Sequence, residues 1–144
     1  MRLSIAFVAA LLTTYVVAVL GYTQLNLANL VEMGVDVSLG VRFESAFHDL
    51  VGMTGLYLPI ISVALILGFG FTRLVLIWLS ELRTLGYVLG GFVAIFAVDF
   101  ALGQLTGAHP LAVTRTTAGL LSQCVAGGLG GYVFSLVSVP PKSD

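Results

Sequence analysis

Charge is what this chain has least of. Only 9% of its 144 residues are Asp, Glu, Lys or Arg, against roughly a quarter in an ordinary globular domain. Six basic and seven acidic side chains cannot coat a folded surface when 58% of the residues are hydrophobic. The excess apolar surface must therefore face lipid, and mean hydropathy of +1.07 agrees. Lys and Arg are too few and too scattered for the basic patch that nucleic acid requires, which excludes that partner. Cysteine is nearly absent. Cys124 stands alone, so neither an intrachain disulfide nor a CxxC redox or zinc motif exists, and this thiol reads as a small buried hydrophobe. Catalytic signatures are missing too. There is no GxSxG, no Ser-Lys arrangement and no HxxxH or HExxH spacing. Gly127-Gly128-Leu129-Gly130-Gly131 shares only composition with a phosphate loop, because no Lys-Ser/Thr follows it. No cofactor is indicated, and a non-catalytic role is the expectation.

The placement of the few charges defines the architecture. None lies between Arg2 and Glu32, between Asp49 and Arg73, or between Arg115 and Lys142. Each gap exceeds the roughly 20 apolar residues that cross a hydrocarbon core. A fourth apolar stretch holds a single carboxylate, Asp99. The reading is an all-α integral membrane protein, one domain over residues 1–144. Its four spans are Leu3–Tyr22, Leu56–Trp78, Leu85–Leu105 and Ala118–Val139. The continuous apolar runs fit helices, whereas barrel strands alternate over about 10 residues. The first run continues to about Leu20, longer than the ~7–15 residues of a signal-peptide core. It is read as a retained helix that rises past the membrane surface through Leu27, Leu30 and Val31, with Gly34 as its cap.

Lys and Arg also set a direction. With the N-terminus in the cytoplasm, Arg2, Arg73, Arg83 and Lys142 fall inside, and Arg42 and Arg115 fall outside. Both termini are thus expected to be cytoplasmic, and the compact design suggests a bacterial inner membrane. Arg73 is placed to snorkel toward the interface, with Trp78 as a belt residue. The short turn Leu79–Thr84 makes the second and third helices an antiparallel pair. The outer loop, residues 24–55, changes period along its length. Val35 to Phe43 alternates like a strand without a partner. Phe43, Phe47, Leu50 and Val51 then share one helical face, opposite Glu44, Ser45, His48 and Asp49. This predicts a short amphipathic helix lying at the membrane surface.

Two spans carry ridges of small residues. Gly86, Gly90 and Ala94 recur every four residues in the third, and Gly119, Gln123, Gly127 and Gly131 in the fourth. Such ridges let backbones approach closely, as a seam inside one bundle or between copies. Gln123 can hydrogen-bond across its seam. Thr13, Thr14 and Tyr15 are expected to satisfy nearby backbone carbonyls. Asp99 is the sharpest chemical signal. An acid within a span needs a partner, water or a proton, so it is either a candidate proton or ion site or one half of a pair with Arg115, a Tyr or a Ser. His48, Asp49, Glu44, His109 and Arg115 fall on the same expected side, where a shared cluster would suit a divalent metal, a quinol headgroup or a proton relay. No spacing motif supports that convergence. Beside the lipid bilayer, the expected partners are membrane proteins or further copies of the chain. Three function classes remain. They are an accessory or assembly subunit of a larger membrane complex, a small proton- or cation-coupled transporter acting as a dimer through Asp99, and a metal- or quinone-handling accessory using His48 and His109. The first is favoured, because catalytic motifs are missing while packing ridges are present.

Overall fold

A computed structural model describes residues 2–78, 80–106 and 116–138. The described residues form five α-helices and one short 3₁₀ turn, with no strand among them. Four helices are long and apolar enough to cross a membrane: α1 (Arg2–Glu32), α3 (Tyr57–Leu76), α4 (Arg83–Thr106) and α5 (Thr117–Val137). The 20 residues of α3 give about 30 Å of rise, the thickness of a hydrocarbon core. A 14-residue helix, α2 (Leu39–Gly52), lies between α1 and α3. Residue 139, placed at the end of the fourth span, lies outside the described residues.

Local chemistry sets the helix ends. Helix α1 stops at Gly34, whose φ of 85° suits a residue without a Cβ. Val35 N–H donates to Leu30 O at 3.1 Å and Gly34 N–H to Val31 O at 2.9 Å, the paired bonds of a Schellman motif. Ser38 caps α2 and Thr116 caps α5, each accepting a backbone N–H three residues on. The alternation over residues 35–43 is not a strand. Residues 35–38 carry no regular structure, and the helix begins at Leu39 because the Ser38 cap and the 3.6-residue period beyond it prevail over a lone strand with nothing to pair with.

The helices pack as a ring in the order α3, α4, α5, α1, with a lighter α1–α3 contact closing it. At the α3–α4 turn, Phe69, Tyr87 and Phe134 interlock. Phe134 lies 4.5 Å from Phe69 and 4.8 Å from Tyr87, centroid to centroid. Arg83 Nη2 donates to Ser138 Oγ at 2.8 Å, tying the start of α4 to the end of α5. Glycine backbones make the α4–α5 seam. A Cβ on Gly91 or Gly127 would run into the carbonyl of the other, and one on Gly131 into the Tyr87 carbonyl. The two small-residue ridges expected from sequence do not face each other. Gly86, Gly90 and Ala94 face α3, against Leu76, Thr72 and Gly68, while Gly127 and Gly131 meet Gly91 and Tyr87. Large apolar side chains such as Leu67, Phe71, Val93 and Leu121 point outward around the ring.

Candidate functional site

Two features emerge from this packing: a buried polar layer near α2 and an apolar groove on the outside of α3 and α4. The layer is built around Gln123, whose side chain is fully buried between α1 and α3. Its Nε2 donates to Ala18 O at 3.0 Å, and its Oε1 accepts from Tyr57 OH at 2.7 Å. The Ala18 carbonyl can only accept, so the amide orientation is dictated by its partners. Burial in a dry interior makes each of these bonds costly to lose. Tyr57 sits at the start of α3 with its ring tilted against that of Tyr15, 6.4 Å between centroids. Tyr15 OH in turn donates to Leu50 O at 2.6 Å and lies 3.1 Å from Thr54 Oγ1. One polar chain therefore joins α5, α3, α1 and the end of α2.

Asp99 lies at this layer. Its side chain is 3% exposed, and Oδ2 has no hydrogen-bond partner among the described residues. Tyr57 and Cys124 are within electrostatic reach of it. Among the described residues, Thr14 Oγ1 is the other buried side-chain oxygen left without a partner, and it rests against Gly130 of α5. The expectation that Thr13, Thr14 and Tyr15 bond local carbonyls thus holds only for Thr13, which donates to Ala9 O at 2.8 Å. Tyr15 reaches α2 instead, because a phenol extends too far from its own helix to bond the preceding turn.

The outer cluster does not gather among the described residues. No group of three His, Cys, Asp or Glu there could hold a metal ion. His48 and Glu44 are exposed on α2. Asp49 turns toward α1 and accepts from Thr23 Oγ1 at 2.7 Å. His109 and Arg115 lie outside the described residues. Helix α2 meets α1 through Ala46, Asp49 and Leu50, and Arg42 donates to Gln24 at 2.9 Å. Phe43 (76% exposed) and Phe47 (71% exposed) face away from the protein. The apolar arc of α2 is wider than its contact with α1, so one flank packs and the other stays open.

The groove runs along α3 and α4 from Ala64 and Val98 to Leu76 and Gly86, with a volume of about 460 Å³. Gly68 and Gly90 bring the two backbones together at its floor, and Leu67, Phe71 and Val93 rise as its walls. Sequence reasoning named Gly86, Gly90 and Ala94 but missed the groove they open into, and it missed Tyr57. A tyrosine at the head of a span reads as an interface residue, and only its bond to Gln123 reveals it as buried. Comparison of the chain with protein-family models, curated proteins and solved structures returns no match.

Proposed function

We propose that this chain is a non-catalytic subunit of a larger membrane assembly, and that it receives a partner transmembrane helix along the α3–α4 groove. The groove is the observation that carries this reading. From Ala64 to Leu76 it follows α3 for about 18 Å of helix rise, enough for three turns of a partner. In lipid, helices gain nothing from hiding apolar surface, so they associate where small residues permit close packing. A small-residue floor between apolar walls meets that need. The four spans would hold the subunit in a bilayer, N- and C-termini cytoplasmic, as in a bacterial inner membrane. The open flank of α2, Phe43 and Phe47, would rest at the lipid surface.

Purification of the tagged chain in mild detergent tests this reading. The wild type should carry a membrane protein with it in fixed stoichiometry. Ala97→Phe, which fills the groove from an exposed position, should lose that partner while remaining monodisperse. A wild type that purifies alone, or a variant that keeps the partner, contradicts the proposal. Association only with itself would make the partner a second copy. A second reading, a proton- or cation-coupled carrier, is favoured by one observation, the unpartnered carboxylate oxygen of Asp99. Loss of uptake in Asp99→Asn with folding intact would support it.

A further inference from the structure

Asp99 raises a question that neither docking nor transport answers: how a carboxyl group is tolerated where it sits. Helix α4 packs against α3 and α5. From α3 the titratable group that faces Asp99 is Tyr57, and from α5 it is Cys124. Both are acids, and neither can bring a positive charge. The single Tyr57 hydroxyl proton is already committed to Gln123 Oε1. Gln123 directs Nε2 to Ala18 O and Oε1 to Tyr57, and neither bond reaches Asp99. On α4 itself the charged group is Arg83, more than four turns away at the opposite end of the helix. An ionised Asp99 would be an anion in a dry interior with no donor for Oδ2 among the described residues. Buried charges without partners are resolved by losing the charge.

We propose that Asp99 is a proton-binding site: the carboxyl group carries its proton while the bundle is closed, and releasing it opens the layer formed by Asp99, Tyr57 and Gln123. On release the carboxyl O–H bond breaks, its electron pair stays on Asp99, and the proton passes to water admitted by the opening. The site's ligand is the proton itself. The inference is independent of the groove, because Asp99 is enclosed and a partner helix on the α3–α4 face cannot reach it.

The direction of the pH effect follows. A closed state that binds a proton more tightly than the unfolded chain is stabilised at low pH, and that advantage disappears as pH rises through the folded-state titration. Infrared spectroscopy of the purified full chain at neutral pH should show a protonated-carboxyl C=O band that is absent from Asp99→Asn. The melting midpoint of the wild type should fall on going to alkaline pH, and the Asp99→Asn midpoint should fall less. A neutral-pH spectrum with only ionised carboxylate, as pairing with Arg115 would give, overturns the proposal. So does an identical pH dependence in the two proteins. Should Asp99→Asn fail to fold, wild type labelled with ¹³C-aspartate gives the answer alone. Asp36, Asp49 and Asp144 lie outside the four apolar helices, so a protonated aspartate band that exchanges slowly with deuterium belongs to Asp99. Its absence contradicts the inference.

Discussion

Replacing Gly131 by alanine adds one methyl group at the tightest point of the α4–α5 seam. A Cβ there would stand 2.6 Å from the Tyr87 carbonyl carbon and 3.1 Å from Val88 Cα. Carbon atoms in ordinary contact are roughly 3.5–4.0 Å apart, so α4 must retreat by about 1 Å. Both obstacles are backbone atoms, and no rotamer change relieves them. Overpacking of this kind costs about 1–3 kcal/mol, and a rigid obstacle belongs near the top of that range. Alanine's better helix propensity returns about 1 kcal/mol, leaving a net loss of about 2 kcal/mol. For a chain of this length that is a drop of about 4–8 °C in melting midpoint, measurable by circular dichroism in mild detergent. Gly70→Ala is the control, because a Cβ there meets nothing within 4 Å. It should leave the midpoint unchanged or raise it slightly. Equal midpoints for the two alanine variants would refute the seam as described.

Two further outcomes follow from the polar layer. Gln123→Leu strands the Tyr57 hydroxyl in a dry interior and should cost about 1–3 kcal/mol in a thermal melt. Adding Tyr57→Phe should recover part of that loss, since removing both partners leaves no orphan. Tyr15→Phe removes the bond to Leu50 O, worth about 0.5–1.5 kcal/mol, and should speed hydrogen–deuterium exchange in α2 by about 2- to 10-fold while α4 and α5 stay protected. Unchanged exchange in α2 would show that the Tyr15 bond does not hold it.

The four long helices were legible because charge is scarce. The gaps from Arg2 to Glu32 and from Asp49 to Arg73 leave little choice of where spans fall. The end of α1 was legible as well, since Gly34 was the residue able to take a left-handed turn after the apolar spacing ends. Partners were harder to read. Gly86, Gly90 and Ala94 define a face of α4 but not the neighbour it meets. Gly91 lies about 100° further around the helix, and it opens a second close-packed face toward α5. A helix with small residues on two sides has two possible seams, and only the three-dimensional arrangement assigns them. Tyr57 escaped notice, and Tyr15 was expected to bond locally, because their actual bonds span 66 and 35 residues of sequence. No local pattern encodes a contact at that separation. Asp99 was visible as an exception to its own apolar run. Its missing hydrogen bond was not, since a sequence lists possible partners without placing them. His48 and Asp49 illustrate the converse. They are neighbours in sequence, yet the helix turns one toward α1 and leaves the other exposed.

Site-specific photo-crosslinking in native membranes tests the central claim, docking of a partner helix on α3 and α4, most directly. A photoreactive side chain replacing Ala97 lines the groove, and one replacing Val16 lies on the exposed face of α1. Docking on this face gives a discrete protein adduct from position 97 and none from position 16. Lipid adducts alone from both positions would contradict it.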